Sequence, residues 1–248
     1  TINTIPASAF QSVNAIAIVI FAPLFAMVWT ALGKKNMEPA SPYKQAIGLF
    51  LLAIGYLIIA FGVKGLGPGV KVSMMWLISL YTIHTFGELC LSPIGLSMVN
   101  KLAPVKFASL LMGVWFLSTA AANKFAGTLS SYYPEPVVKM SIIEGSQSAN
   151  NVALLPKDLE VQKLKEIDGE KVVPLANIQL SEIKDEALKS SIKSQMENSQ
   201  IVPEKNFVGF KINDLYSFFM LFVVMAGVSS VILFFLSKLL VKMMNGVR

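Results

Sequence analysis

Five long runs of apolar residues organise the sequence, and each is long enough to cross a lipid bilayer as a helix. A membrane-spanning helix needs about 20 predominantly apolar residues. Each run contains at most one charged side chain. The core of a soluble protein does not need five runs that are this long and apolar. The runs cover residues 5–33, 45–63, 72–100, 107–131 and 215–237. We therefore predict an all-α membrane protein with five transmembrane helices.

A polar segment, residues 132–213, interrupts this pattern between the fourth and fifth runs. It holds 12 of the 15 acidic residues, since only Glu38, Glu88 and Asp214 lie elsewhere. The chain is therefore expected to form a first part of four helices (1–131), an extramembrane insertion, and a last helix with its tail (214–248).

The insertion has local signals of structure. Asp168-Gly169 lies between two segments with β-branched residues, which predicts a β-hairpin. Residues 180–198 are rich in helix formers, with Ser181 as the expected N-cap. We predict a small ββα-like element. The favoured interpretation is a solvated surface element without a binding role, and the alternative is a binding domain. The segment has no His and no Cys, so no metal-ligand cluster is expected there.

The distribution of charge predicts how the chain is oriented. Although the net charge is +6, the basic residues of the apolar part lie mostly in loops, so the surplus does not indicate nucleic-acid binding. One side carries eight basic residues, and the short loop on the other side carries two, Lys64 and Lys71. The eight are Lys34, Lys35, Lys44, Lys101, Lys106, Lys238, Lys242 and Arg248. The positive-inside rule makes that side cytoplasmic, with the insertion outside a plasma (inner) membrane. The first helix then starts outside at a chain that begins with Thr1, and we expect further helices before it.

One carboxylate, Glu88, lies inside the third run. A charge at the centre of a membrane helix costs roughly 2.5–3.5 kcal/mol, so such residues usually face a bundle interior or a water-filled cavity. Positions three and four apart share a helical face. By this rule a polar stripe accompanies Glu88, formed by Tyr81, His84, Thr85, Ser92 and Gly95. The alternative is a structural ion pair.

Two other spans carry side chains that complement Glu88. Asn14 in the first span and Trp115 in the fourth both lie within roughly 10 Å of its expected depth, at 1.5 Å per residue. A carboxylate, an amide and an indole at one depth could hold a small zwitterion, with the ammonium on Glu88. Asn14 could instead bond a neighbouring helix, Trp115 could be a packing or interfacial residue, and Ser92 could satisfy backbone freed by Pro93.

Catalytic and metal chemistry is not indicated. His84 and Glu88, at i and i+4, resemble half of a metal site, but the spans hold no second His and no further acid. Cys90 is the only cysteine, so no intrachain disulfide forms. We expect neither an enzyme nor a bound cofactor or metal.

Several long motifs resemble one transporter family. "FGELCLSPIGLSMVNKLAP" followed by "LLMGVWFLSTAAANKFAG" is similar to the tenth and eleventh helices of the proton-dependent oligopeptide transporters, in the major facilitator superfamily. "IPASAFQSVNAIAIVIFAPLFAMVW" and "SPYKQAIGLFLLAIGYLI" resemble the eighth and ninth helices. The last span fits the twelfth by position, and the insertion has no counterpart in the family pattern.

The resemblance implies a symporter of di- and tripeptides that is driven by protons. It implies that Glu88 meets the amino terminus of the peptide and that Asn14 contacts its backbone. Trp115 would line the pocket, with Ser92 and Phe116 beside it. The expected partners are peptides, protons as the coupling ion, membrane lipid and the N-terminal helices of the same transporter.

The chain also departs from the family pattern. The "ExxER" motif of the first helix is not in this chain, and Ala9 stands where the family has a tryptophan. Helices eight to twelve alone would supply one wall of a two-walled cavity and should not transport. Two alternatives stay open: a major-facilitator transporter of another small solute, and a membrane-anchored external interaction domain.

Overall fold

A computed structural model describes residues 9–67, 72–156, 164–167, 169–180, 183 and 185–244. The chain divides into two compact units. Unit 1 comprises Thr1–Lys64, Val72–Ser131 and Phe219–Arg248, and unit 2 comprises Gly65–Lys71 and Tyr132–Phe218. Residues 5–8 of the first predicted span lie outside the described residues.

Helices dominate the chain. In order they are α1 (Ala9–Lys34), α2 (Ser41–Val63), α3 (Met74–Leu102), α4 (Ala108–Ser130), α5 (Met140–Asn150), α6 (Glu186–Asn198) and α7 (Leu215–Met243). Within the described residues α1, α2, α3, α4 and α7 are long and apolar enough to cross a membrane. The predicted all-α membrane fold is confirmed.

The ends of these helices follow from local sequence. Pro42 lies in the first turn of α2, where its missing N–H is not needed. Ser73 caps α3, since its hydroxyl accepts a hydrogen bond from the Met75 N–H at 3.4 Å. Pro104 separates α3 from a short 3₁₀ turn, Val105–Phe107, which leads into α4. A short connection of this kind makes α3 and α4 antiparallel neighbours.

In unit 1, α3 packs against α1, α2 and α4. Glycines allow the closest approach: a Cβ on Gly48 would lie 2.8 Å from the Gly87 carbonyl oxygen, so the backbones of α2 and α3 touch there. The α7 side packs on α2, where Ser230 Oγ donates to the Ala46 carbonyl at 2.8 Å. The Ser230 hydroxyl thus connects α7 to α2, two helices whose outward faces are apolar.

The first turn of α2 carries a buried cation, Lys44. Lys44 is paired with Glu38, and its ammonium lies 4.9 Å from the Trp29 ring centre. Lys44 is 7% exposed, so the carboxylate of Glu38 and the face of the Trp29 ring replace water around its ammonium group. Of the eight basic residues used for orientation, this one also joins α1 to α2.

Unit 2 has a mixed α/β fold with its own core. Its strands are β1 (Val137–Lys139), β2 (Glu166–Ile167), β3 (Glu170–Pro174), β4 (Lys205–Phe207) and β5 (Phe210–Ile212). The antiparallel sheet has the order β1-β3-β2, and β4 pairs with β5. Helices α5 and α6 pack on the sheet around a core that contains Val138, Ile143, Val173, Ile192 and Met196.

The ββα prediction describes only part of unit 2. The hairpin β2–β3 turns at Gly169, where φ is +76°, and α6 follows it; Asp168 itself lies outside the described residues. Strand β1, helix α5 and the β4–β5 hairpin were not predicted. The predicted N-cap is wrong because α6 begins later: Asp185 accepts from the N–H groups of Ala187 and Leu188 at 2.9 and 3.3 Å. Ser181 lies outside the described residues.

Candidate functional site

A chain of polar contacts joins α1 to α3. Asn14 Nδ2 donates to Glu88 Oε2 at 3.2 Å. Thr85 Oγ1 lies 2.6 Å from Asn14 Oδ1 and 2.8 Å from the Tyr81 carbonyl oxygen, and donates its one hydrogen to one of them. When Thr85 donates to Asn14, the amide is held at both ends, with its N–H₂ side turned toward the carboxylate. This arrangement orients Glu88 from the neighbouring helix.

The Glu88 carboxylate opens into a cavity of about 310 Å³. Polar side chains from two helices converge on it, and α2 contributes an apolar wall. The lining residues are Asn14, Leu52, Tyr81, His84, Glu88, Leu91 and Ser92. A carboxylate has about four acceptor sites, and the contact with Asn14 uses one of them. The remaining acceptor sites leave room for a cationic group.

His84 and Tyr56 form the boundary of this site toward α2. Their rings meet edge to face, with centroids 4.5 Å apart, and Tyr56 also stacks on Phe222 of α7 at 5.1 Å. The stripe rule predicted His84 but gave no reason to single out Tyr56 or Leu52, because α2 carries no charged side chain near them. The adjacent Gly55 is the one local signal, since a glycine beside an aromatic residue marks a close approach.

Trp115 does not join the cavity at Glu88. Its ring packs on Gly95, where an added Cβ would lie 2.3 Å from Cη2, and it lines a second cavity of about 320 Å³ with Met98, Val99 and Leu111. The reason is the α3–α4 hairpin: Gly95 and Trp115 lie at equal distances along the chain from the turn near Val105. Glu88 is seven residues further, about 10 Å along the axis. Trp115 thus meets the predicted depth only at its limit and lines a cavity separate from the one at Glu88, so its contact with a substrate stays a prediction.

Phe116 lies on an open face of α4. Its side chain is 61% exposed, and the structure gives it no place beside Glu88. The structure therefore brings together three of the five predicted residues, Asn14, Glu88 and Ser92. Among the described residues no group of three or more His, Cys, Asp or Glu side chains could hold a metal ion.

Comparison with known proteins gives the family context. The family model PTR2, described as the POT family, matches residues 1–147. The chain is 44% identical over 116 residues to "Uncharacterized transporter YclF" of Bacillus subtilis, a match that covers 47% of this chain and 23% of YclF. It is 38% identical over 130 residues to "Peptide transporter YePEPT" of Yersinia enterocolitica, covering 52% of this chain and 25% of that protein.

A solved structure is similar over more of the chain. It is a crystal structure of a POT family transporter in complex with a thioalcohol conjugated peptide, with a TM-score of 0.53 and 24% identity. The likeness covers 92% of this chain and 30% of that one, and it supports the fold. The chain spans about a quarter of the length of the curated relatives that it matches.

Proposed function

This chain belongs to the POT family, and from that premise we propose that it is part of a proton-coupled symporter of di- and tripeptides. The observation that carries the proposal is the contact of Asn14 with Glu88 at the edge of a cavity between the helices. The neutral amide of Asn14 orients the carboxyl group without neutralising it, so the ionised form can pair with a cation. The ammonium of a peptide supplies the compensating charge.

The helices of unit 1 supply one wall of the substrate cavity in this proposal. The match to about a quarter of each curated relative supports it, since the opposite wall then comes from further helices of the same transporter. In this proposal the further helices would cover the exposed face of α4 with Phe116 and the cavity beside Trp115. Trp115 and Phe116 then contact peptide or the opposite wall, while Asn14, Glu88 and Ser92 bind the amino-terminal half of the peptide.

Protons are the coupling ion, and no resident cofactor takes part. In this proposal Glu88 exchanges a proton for the ammonium of a peptide during the transport cycle. When a peptide arrives, the ionised carboxylate pairs with its ammonium. This exchange of a proton for an ammonium at one carboxylate ties peptide binding to proton movement.

A competition uptake assay tests the cargo. The complete transporter is reconstituted in vesicles with an inward proton gradient, and uptake of labelled dialanine is challenged with unlabelled dipeptide, free alanine or nitrate. We expect only the dipeptide to compete. Competition by nitrate or free alanine instead would support the alternative of another small solute.

The orientation is proposed with the loops of Lys34–Lys44 in the cytoplasm and unit 2 outside an inner membrane. In support, the loops on the Lys34–Lys44 side carry more basic residues than the short loop on the other side. A single cysteine at Ser148 should react with an impermeant reagent on intact cells, and one at Asn36 should not. The opposite pattern would reverse the topology.

A second candidate function belongs to unit 2. It contains a cavity of about 430 Å³ lined by Leu175, Ile178 and Met196, with an ion pair of Lys193 and Glu197 at 3.7 Å beside it. This cavity favours a binding role for the insertion. Replacing residues 132–213 by a short linker separates the two functions: we expect peptide affinity to stay close to that of the parent. Loss of peptide binding in a folded variant would assign the insertion to the transport site.

A further inference from the structure

His84 is the buried titratable group that peptide recognition leaves unused. It lies one helical turn before Glu88 on α3 and lines the same cavity. Its ring occupies the space that Gly55 leaves on α2, where an added Cβ would lie 2.4 Å from Cδ2 and 2.7 Å from Nε2. Among the described residues Nε2 has no hydrogen-bond partner, although it is shielded from solvent. The imidazole is held by the space at Gly55, by its ring contact with Tyr56 and by a hydrogen bond with the Leu52 backbone.

Glu88 is the acidic neighbour of this ring. The titratable groups that face it are Tyr56 from α2, and Tyr81 and Glu88 from α3. Tyrosines are neutral near pH 7. From α1 the cavity receives the amide of Asn14, and α7 places Phe222 on the Tyr56 ring. Imidazole is the side chain that exchanges protons most readily near neutral pH.

We propose that His84 receives the proton that Glu88 releases when the ammonium of a peptide binds. The O–H bond of the protonated Glu88 carboxyl breaks, and an N–H bond forms on the ring nitrogen that carries the lone pair. No co-reactant is needed, because the proton moves between two side chains one turn apart. The inference rests on the proposed function, since it needs both a peptide ammonium and a proton on Glu88.

This transfer explains how peptide and proton travel together. If the proton of Glu88 left for the solvent when the peptide bound, the two would exchange. On His84 it stays in the cavity, and Glu88 becomes free to pair with the ammonium. The imidazolium and the ammonium then share one carboxylate, and this repulsion favours release of both once the cavity opens to the other side.

The test separates proton coupling from packing. His84→Gln is made in the complete transporter, because glutamine keeps a polar side chain of similar length and does not titrate in this range. Uptake of dialanine driven by a proton gradient should fall at least about tenfold, the scale of a lost proton-transfer group. Counterflow exchange of dialanine, which needs no net proton movement, should stay close to the parent rate. The pH dependence of uptake should flatten.

Controls keep each outcome decisive. Thr82→Val removes a hydroxyl of α3 that bonds the Ile78 carbonyl of its own helix and does not line the cavity, so both assays should match the parent. His84→Phe provides a second non-titrating variant with an aromatic ring if the glutamine variant does not fold. Equal losses in driven uptake and counterflow, or no loss in either, would overturn the proton-transfer role and leave the proposed function intact. A parent that neither takes up nor exchanges dialanine would overturn the proposed function, and this inference with it.

Discussion

Units 1 and 2 both bury apolar residues but expose different kinds of side chain. In unit 1 the buried positions include Thr85, Lys44 and Ser230, while Val19 is 75% exposed and Leu117 68% exposed. In unit 2 the fully buried positions include the apolar residues of its core, and the charged residues lie outside. The same physical rule produces both arrangements, because the solvent of unit 1 is lipid and that of unit 2 is water.

The difference matters for function. Apolar residues cost nothing on the lipid-facing surface of unit 1, so their packing does not decide which face turns inward. Polar contacts do: Asn14 with Glu88, and Thr85 with Asn14, fix α1 against α3. In unit 2 the hydrophobic core decides the fold, and its polar groups mark the surface. Substitutions in the two units should therefore fail in different ways.

The largest effect is expected at Glu88. Glu88→Gln keeps the shape and removes the charge, so a bound ammonium loses its partner, which costs about 2–5 kcal/mol for a buried charged pair. Uptake of free dipeptides should fall by roughly 30-fold or more. Peptides with a blocked amino terminus should lose much less, while the amount of folded transporter is unchanged.

The matched control for Glu88 lies in unit 2. Glu135→Gln removes an exposed carboxylate there and should leave uptake unchanged. If Glu88→Gln transports free dipeptides as well as the parent, with the same preference for a free amine, the carboxylate is a structural partner of Asn14. The polar contacts of unit 1 would then be structural, as the hydrophobic core of unit 2 is.

The second prediction concerns the core of unit 2. Ile143 is fully buried, and Ile143→Ala should lower the free energy of unfolding by about 2–4 kcal/mol through lost burial and a cavity. The neighbouring Ile142 is only partly buried, so Ile142→Ala should cost less. Circular dichroism during urea unfolding of residues 132–218 measures both. This segment closes on itself, because the Tyr133 and Phe218 rings lie 5.5 Å apart.

Peptide uptake is the second measurement on the Ile143→Ala variant. In the complete transporter Ile143→Ala should leave peptide uptake close to the parent rate, since unit 2 keeps its own core. A loss of uptake as large as that of Glu88→Gln would contradict the separation of the two units.

The sequence predicts unit 1 better than unit 2 for a physical reason. A helix repeats every 3.6 residues, so one carboxylate is enough to place Thr85, His84 and Ser92 on its face. The contact with Asn14 follows because a costly polar group in a membrane needs a polar partner. Strand β1 has three residues and follows Pro134 and Pro136, so it shows no alternation that could be recognised.

Contacts between helices were harder to predict than the set of residues that share one face of a helix. Trp115 was placed by its distance from the centre of its span, whereas the α3–α4 turn sets its actual depth, opposite Gly95. The site of His84 depends on the absence of a side chain at Gly55. Neither the register of a hairpin nor a space left by glycine is visible in the hydropathy pattern of one helix.

A smaller effect is expected at Thr85, which supports Asn14. Thr85→Val keeps the shape and removes the hydroxyl near Asn14 Oδ1, at a cost of about 1 kcal/mol for one hydrogen bond. Peptide affinity should fall about fivefold, because the amide then turns away from Glu88 in part of the population. Thr82→Val is the control, since that hydroxyl bonds only the Ile78 carbonyl of its own helix at 2.9 Å. Equal effects in equilibrium peptide-binding measurements on both variants would deny Asn14 its orienting role.

The smallest effect returns to unit 2, at the turn between β4 and β5. Val208 and Gly209 both have positive φ, +48° and +84°, as a two-residue hairpin turn with a right-handed twist requires. Glycine adopts this conformation freely, but a β-branched residue is strained there. Val208 is 91% exposed, so it contributes little packing in return. Val208→Asn should therefore stabilise unit 2 by about 0.5–1 kcal/mol, because asparagine tolerates the left-handed region. Thermal unfolding of residues 132–218 should show a higher Tm for this variant and no gain for Val208→Thr, which keeps the β-branch. If asparagine and threonine behave alike, the turn is not strained, and the stability of unit 2 depends on its core alone.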